Sequence, residues 1–598
     1  MVLAVATWLG ALVACRVPVG LAAFAAALAW LLRRPWLLIM AVAALASGLG
    51  VHALDGLAPP APAVVHGQWA TLLTDPAPAA TGGVTVEARL GRRHVEVFAR
   101  GPSESALTPR LAGERVEVDG VLRALSPIER GRMLPRHIAA SVSLRAVRGV
   151  RPANLLGRAA NGFRRVVFRG AAALPETLRP LFGGMVIGDA RGQTPELQDA
   201  FRAAGLTHLL VVSGENVAFA LLVAAPLIRR GRLWWRFVAT LAVLFAFGTL
   251  TRWEPSVLRA EAMAAIAAAG AFVGRPVPAG RLLALATTGC IVIDPLIVHS
   301  VGFRLSVAAC VGLAVLTPPL RRRGVPLLLA ASIGAQLGAS VVLVPTFGTV
   351  PLVSLPANLL AVPAAGPLMM WGLTAGTLAG GAPRLAPLLH APTHVALWWL
   401  ATVATHAARL PVAPIAALGA LGVGTAVVGA LVRPRLVVPA VAMVFVVVAL
   451  AMRGPSPAAG ADVAPGVALW VVGGRSVVAV GGKVSPVAID ALRSRRVHRL
   501  DILVITQPGK GPANAAWPLI AAFRPRLMLA PEHHQVAGAY TARLGASVAL
   551  GDVAVRVTDA GPPLQVRVTR AVYGQGPPTR PHLRVGSLRS PPNVPPSG

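Results

Sequence analysis

Sixty consecutive residues, Gly324 to Pro383, contain no Asp, Glu, Lys or Arg. Two more charge-free tracts follow, Val412 to Val432 and Leu436 to Met452. A helix crosses the hydrocarbon core of a bilayer with about 20 mostly apolar residues, so each tract can span. Across all 598 residues, 55% are hydrophobic and 13% charged, about half the charged share of an ordinary soluble domain. Helices buried in a soluble core need polar outer faces, and this chain lacks the residues to make them. The fold class is therefore a polytopic α-helical membrane protein.

The apolar texture organises the chain. Residues 1–54 read as N-terminal transmembrane helices, with spans near 19–32 and 36–54 and a shorter run before them. Breaks fall at Arg16 to Pro18 and at Arg33 to Pro35. Met1 to Cys15 has no basic start and is followed by more apolar helix, so it reads as structure rather than a signal peptide. Arg33 and Arg34 suit a tight cytoplasmic turn, which brings the chain outside near Asp55. The main bundle, residues 182–452, has expected spans near 206–227, 234–251, 255–274, 282–298, 303–320, 325–347, 350–378, 393–408, 412–432 and 436–452. Pro351, Pro356, Pro363 and Pro367 predict a broken or re-entrant 350–378 segment.

Two regions differ. In 63–151, residues alternate apolar and polar in Val84 to Leu90, His94 to Phe98 and Arg115 to Val121. Period two between Gly and Pro punctuation predicts a small external antiparallel β domain, OB-like if it closes. It carries 13 Arg against 8 acidic residues, but Trp69 and Phe98 give little surface for stacking bases. Leu155 to Leu181 is amphipathic, with Arg158, Arg164, Arg165 and Arg169 among Phe163, Val166, Val167 and Phe168. It reads as an interfacial helix; a cationic collar for a passing polyanion is the other reading. Beyond a Gly/Pro/Ala linker, residues 463–570 read as a short α/β domain. Its strands are Val467 to Val472, Ser476 to Val480, Ile502 to Thr506, Leu527 to Ala530 and Val553 to Thr558. Its helices are Val487 to Arg495 and Ala515 to Phe523. Residues 571–598, rich in Pro, Gly, Ser and Arg, read as a disordered tail.

The formal net charge is +33, almost all from Arg. It fits a membrane protein with cationic loops and also an anionic partner such as nucleic acid. Cys15, Cys290 and Cys310 lie in apolar tracts without ligand spacing, which predicts neither a metal site nor a disulfide.

Polar residues inside greasy segments carry the functional signal. An ionised side chain facing lipid costs roughly 2 to 4 kcal/mol, so it must be neutral, paired or facing water. The first cluster contains Asp189, Arg202 and His208, then Ser213, Gly214, Glu215 and Asn216. The second has Arg252, Glu254, Arg259 and Glu261; Arg259 is a candidate partner for Glu215 or for a substrate phosphate, or a snorkelling helix-end residue. The third includes Asp294 and Arg304. The fourth includes Asn358, which with Gln336 can bond across helices. Together they describe a polar path, or polar glue, inside the bundle.

These clusters resemble the ComEC/Rec2 competence family of membrane DNA-uptake proteins. Gly188-Asp189, Phe201-Arg202 and Gly205-Leu206-Thr207-His208-Leu209-Leu210-Val211-Val212-Ser213-Gly214 are similar to its signature. Pro255 to Ala260 with Met263, then Asp294-Pro295 with Gly302 to Ser306, then Pro345 to Gly348 with Pro356 to Pro363, resemble its later motifs in the same order. Glu215-Asn216 stands where the family often has Leu-His, and Arg304 where many relatives have Gln. The resemblance implies N-terminal spans, an external OB-like domain, a competence bundle and often a metallo-β-lactamase-like C-terminal domain. It implies a channel that passes one strand of transforming DNA into the cytoplasm, in the cytoplasmic (inner) membrane of a bacterium. Expected partners are single-stranded DNA, a competence DNA receptor outside, a cytoplasmic DNA translocase and membrane lipid. The competing readings are a channel or transporter for another substrate, a membrane-bound hydrolase, and a non-catalytic assembly protein.

The C-terminal region resembles a degenerate form of that hydrolase fold at Val484 to Val487, Ala491 to Arg493 and Leu500 to Thr506. An active relative would follow the Thr with a His-x-His-x-Asp-His run that binds metal. Here Gln507 to Asn514 has neither His nor Asp, and His533-His534 alone cannot form a site. The expectation is a docking domain with no enzyme activity, metal or cofactor.

Overall fold

The computed structural model describes residues 1–410 except 80–82, 348 and 352, then 415–416, then 461–570 except 465, 473–474, 482–486, 496, 498, 535, 551–552 and 562, and finally 584–586. The expected span at 436–452 and most of the 571–598 tail lie outside the described residues, as does the expected span at 412–432 apart from Ile415–Ala416, which form a short strand. Two compact units result. The first is Met1–Gln193 with Ala204–Thr346 and Ser354–Ala404; the second is Thr194–Ala203 with Phe347–Val353 and Thr405–Gly598.

The first unit opens with α1 (Val2–Val13), α2 (Val19–Leu31) and α3 (Pro35–Asp55). The breaks fall where Arg and Pro were read to put them, and Arg33 takes a left-handed conformation in its turn. A side chain at Gly10 would collide with the Ala43 carbonyl, so α1 and α3 cross at backbone contact. Trp8 of α1 stacks on Phe303 at 5.6 Å and joins Cys290, Ile291 and Ile297 in one apolar cluster.

A β domain follows: β1 (Ala63–Leu72), β2 (Ala77–Pro78), β3 (Val84–Leu90), β4 (Arg93–Ala99), α4 (Pro102–Leu107), β5 (Arg115–Ala124), α5 (Pro127–Met133) and β6 (Ile138–Arg151). The order is β1-β5-β6-β4-β3-β2, and β1 also pairs with β3. The five long strands therefore close into a ring, antiparallel except for β4 with β6. Alternation puts Val84, Val86, Val95, Val97, Val116 and Val118 inside. Closure removes the exposed sheet edges.

The helical region comprises α6 (Leu155–Gly170), α7 (Arg179–Ile187), α8 (Pro195–Ala203), α9 (Gly214–Arg229), α10 (Leu233–Leu250), α11 (Pro255–Phe272), α12 (Ala279–Ile293), α13 (Val301–Arg322), α14 (Leu327–Phe347), α15 (Ser354–Gly381) and α16 (Ala386–Arg409). Six helices among the described residues are long and apolar enough to cross a membrane: α3, α9 with the turn from Thr207, α10, α13, α14 and α15. A 21-residue helix such as α14 is ~31 Å long, one hydrocarbon thickness. The chain is a multi-pass membrane protein. Four expected spans are shorter or more polar, among them 393–408, which lies in α16 with His390, His394 and His406. Residues 19–32 form 13-residue α2 and 282–298 form 15-residue α12 followed by a 3-10 turn, while α11 carries Arg259 and Glu261. The 350–378 segment is not broken: Ser354 to Gly381 is one 28-residue helix with Pro363 and Pro367 inside it.

Glycine sets the closest helix contacts. Gly372, Gly376 and Gly380 repeat every fourth residue on α15 and face Phe182, Val167 and Val166. Gly312 of α13 meets the backbone of Gly334 and Gly338 on α14. Small residues four apart let backbones approach where lipid offers no hydrophobic drive.

In the second unit, β7 (Thr349–Val350) pairs with β8 (Ile415–Ala416). One sheet has order β14-β13-β12-β11-β10-β9, from β9 (Ala461–Ala464), β10 (Val467–Val472), β11 (Arg475–Val480), β12 (Ile502–Ile505), β13 (Leu527–Ala530) and β14 (Tyr540–Thr541). The other has order β17-β16-β15-β18, from β15 (Ser547–Leu550), β16 (Val553–Asp559), β17 (Gln565–Arg570) and β18 (Arg584–Gly586). Residues 584–586, read as part of a disordered tail, thus form a strand on β15. Alternate residues of β11 and β12 bury on opposite faces. Val478, Val480, Leu503 and Ile505 meet α17 (Val487–Ser494) and α18 (Lys510–Phe523). Val477, Ile502 and Val504 meet the second sheet through Val548, Val553 and Val555. Helix α8, expected within the membrane bundle, belongs to this unit and packs on α18.

Candidate functional site

Three of the sequence clusters meet at one level of the bundle. Gly214 opens α9, Arg259 lies in the second turn of α11, and Ser306 lies in the second turn of α13. Arg259 is buried, and its Nε and Nη2 donate to Ser306 Oγ at 3.0 and 2.7 Å. Its Nη1 lies 3.0 Å from Met263 Sδ. A Cβ added at Gly214 would sit 3.1 Å from Arg259 Nη2. Gly214 therefore makes room for the guanidinium. α10 packs against both α9 and α11, and α12 against both α11 and α13. Phe237 near the start of α10 stacks on Phe272 at the end of α11 at 5.0 Å, so these two neighbours run in opposite directions.

Arg259 does not pair with Glu215. Successive residues on a helix point about 100° apart. Asn216 turns inward and Glu215 outward, whereas Arg259 lies toward α13, where Ser306 offers an acceptor. Among the described residues, Arg259 has no carboxylate partner and the Glu215 carboxylate has no hydrogen bond. Glu261 is also buried, with neither oxygen hydrogen-bonded among the described residues. It faces Gly248, where a Cβ would lie 2.8 Å from Glu261 Oε2.

Beside Gly214 is a small pocket whose lining includes His208, Ser213, Glu215, Asn216 and Met369. Asn216 Nδ2 donates to the Met185 carbonyl at 2.8 Å, and Ser213 Oγ donates to Asn216 Oδ1 at 3.4 Å. Four of the sequence candidates thus share one wall. The fourth cluster reaches the first through Gly205, which has φ +70°, and a Cβ there would overlap Ser354. Asn358 itself bonds locally to the Ser354 carbonyl at 2.8 Å. Arg304 is half-buried on α13, with no side-chain hydrogen bond among the described residues. Arg202 lies in the second unit, 3.7 Å from Asp199.

Asp189 lies elsewhere, in a buried ionic cluster centred on Arg164. Arg164 is 1% exposed, and its Nη2 reaches Asp75 at 2.7 Å and Asp189 at 3.2 Å. Its Nη1 donates to the carbonyls of Ile187 and Leu250, at 2.6 and 2.9 Å. These carbonyls end α7 and α10, where cationic donors are most favourable. Arg191 also binds Asp189; Arg252 binds Asp75 at 3.1 Å and Asn161 at 2.6 Å. Burial alone would raise the Asp75 carboxyl, but Arg164 and Arg252 outweigh it and hold the group below its ordinary range. The cluster ties the β domain, α6 and the bundle together. It also changes the reading of α6, whose face at Asn161, Arg164, Val167 and Gly170 is buried while Arg158, Arg165 and Arg169 stay exposed.

A second tie joins His137, beyond α5, to Asp294 at the end of α12: Nε2 and Oδ1 are 2.9 Å apart. The hydrogen bond to Asp294 raises the His137 pKa. In the second unit, His534 engages Thr541 at 3.2 Å and the Val536 amide at 3.4 Å. No three His, Cys, Asp or Glu among the described residues are grouped to hold a metal ion.

Comparison with known proteins bears on the bundle. Residues 185–454 match the family model described as Competence protein. The "Uncharacterized protein YcaI" of Escherichia coli (strain K12) is 29% identical over 222 residues, 32% of this chain and 28% of that protein. The "ComE operon protein 3" of Bacillus subtilis (strain 168) is 27% identical over 209 residues, 34% of this chain and 27% of that protein. The matched stretch is thus less than a third of either relative's length. No solved structure matches. The part of the chain that resembles known proteins is thus the multi-span bundle, which matches the competence-type family model.

Proposed function

We propose that the chain, whose residues 185–454 match the competence protein family model, is a membrane channel conducting single-stranded DNA into the cytoplasm during natural transformation. The observation carrying this reading is the contrast between two buried arginines. Arg164 is neutralised by Asp75 and Asp189. Among the described residues, the side-chain partners of Arg259 are the neutral Ser306 and Met263. A guanidinium inside a membrane is expensive without a counter-ion, and it is well shaped to hold a phosphate. Arg259 is the backbone-phosphate contact. His208, Ser213, Gly214, Glu215, Asn216, Arg304 and Asn358 line or brace the path, Asp189 braces it through Arg164, and Arg202 of the second unit is a further candidate for contact with the strand. Phosphate contacts of this kind conduct without reading sequence.

The remaining regions support the path in this account. Residues 63–151 are an external OB-like domain, an assignment supported by the closed ring of five strands. Trp69 and Phe98, its scarce aromatics, have arginines over their faces, Arg151 at 4.2 Å and Arg100 at 4.8 Å. Handing a strand on therefore suits this domain better than gripping bases. Residues 463–570 are a degenerate metallo-β-lactamase-like docking domain, supported by its two stacked sheets with helices on one face. The partners of the whole protein would be a DNA receptor outside and a DNA translocase inside.

Deletion of the gene in a transformable host tests the reading. Transformation should fall to background and return with the wild-type gene, but not with Arg259→Ala at equal membrane level. Transformation untouched by deletion would favour a channel for another substrate on the same bundle.

A further inference from the structure

The helix ends opposite the Arg259 level form a strongly one-signed surface. α9, α11 and α13 start together, so the turns after them lie together at the other end. The turn at 229–236 holds four arginines, that at 273–281 two and that at 321–327 three, with no Asp or Glu in any of them. At the starting level, the turn at 251–254 holds Arg252 and Glu254, and the turn at 294–300 holds Asp294 and no Arg. Such asymmetry puts the nine-arginine end in the cytoplasm and the β domain outside.

The first of these turns is built as a site. Leu227, Arg230, Gly231, Arg232, Trp234 and Trp235 line a pocket there. Arg236 braces the turn by donating to the carbonyls of Gly231 at 3.1 Å and Arg229 at 3.0 Å. Arg230 and Arg232 are exposed and make no side-chain hydrogen bond among the described residues. Trp234 and Trp235, edge to face at 6.2 Å, remain 56% and 39% exposed. Exposed indoles beside free guanidiniums mark the boundary between hydrocarbon and headgroups. The apolar rim favours a ligand with acyl chains, and the arginines demand an anionic phosphate.

We propose that this pocket is a headgroup site for an anionic phospholipid of the cytoplasmic leaflet, held by Arg230 and Arg232 with Trp234 and Trp235 at its acyl side. The test uses the full chain in vesicles of phosphatidylcholine, with brominated phosphatidylglycerol or brominated phosphatidylcholine added at equal mole fraction. Brominated lipid quenches tryptophan only on contact. The anionic lipid should quench at several-fold lower mole fraction than the zwitterionic one. The difference should vanish in the Trp234→Phe/Trp235→Phe protein. It should shrink about fivefold per arginine lost in Arg230→Gln and Arg232→Gln, while Arg230→Lys/Arg232→Lys retains most of it. Equal quenching by the two lipids in the wild-type protein overturns the proposal, whatever the variants do. So does a preference that persists without both arginines, or one that a single-stranded oligonucleotide abolishes at physiological salt, since the surface would then serve nucleic acid.

Discussion

Replacing Arg164 by Met should destabilise the first unit by about 4 kcal/mol. The side chain is 1% exposed and meets two carboxylates and two helix-terminal carbonyls. Removing one partner of a buried ion pair costs about 3–5 kcal/mol. Here Arg252 still serves Asp75 and Arg191 still serves Asp189, which places the carboxylate share at or below the low end. The Ile187 and Leu250 carbonyls lose their donor outright, at about 1–3 kcal/mol each. Met fills most of the volume, so little is added by a cavity. The assay is equilibrium unfolding of purified protein in mixed micelles with increasing sodium dodecyl sulfate. A companion cycle with Asp75→Asn should give a coupling of about 1–3 kcal/mol between the two sites. A loss under about 1 kcal/mol would mean that the guanidinium does not hold these elements together. Strictly additive single mutants would refute the pairing itself.

Other expectations follow from the same contacts. The His137–Asp294 tie depends on pH. Because the folded pKa of His137 is raised, its contribution is complete below the unfolded histidine value of about 6.5 and is lost as pH rises through the higher folded value. Protection of amides across β6 and the turn at Asp294, relative to their base-catalysed intrinsic exchange rates, should be lower at pH 8.5 than at pH 6, and His137→Ala should erase the difference in protection. Gly312→Leu should separate α13 from α14 and cost about 1–3 kcal/mol, read as a lower melting temperature in detergent, whereas a leucine at Gly289, with open space around its Cβ position, should leave it unchanged. Glu215→Gln and Arg259→Ala should reduce strand passage while membrane insertion stays normal. Equal passage at equal protein level would make both residues packing elements.

Much of the architecture was legible because it depends on local pattern. The charge-free tract from Gly324 gives α14 and α15, and period-two alternation gives β3, β4 and β5, since burial in each case follows from the element's own repeat. The misread features depend on partners distant in the chain. Arg164 sits in an amphipathic helix that alone reads as interfacial; its burial is decided by Asp75, Asp189 and Leu250, which the sequence does not place beside it. Its signal was present in the spacing of Asn161, Arg164, Val167 and Gly170 along one face. The Glu215–Arg259 pairing failed on helix rotation, which neighbouring helices set. Proline misled at Pro363 and Pro367, where the helix continues despite two missing amide donors. The convergence of Gly214, Arg259 and Ser306 was visible only as three separate motifs, because nothing in the chain gives their relative heights.

The central claim is that the level of Glu215 and Arg259 is wet and takes a single DNA strand. The direct measurement is the reactivity of Glu215→Cys, in a background of Cys15→Ala, Cys290→Ala and Cys310→Ala, toward a membrane-impermeant maleimide in vesicles. The account predicts labelling from water that slows when a single-stranded oligodeoxynucleotide is added and not when a neutral polymer of similar size is added. Reaction only with a lipid-soluble maleimide, or labelling that the strand leaves unchanged, would contradict it.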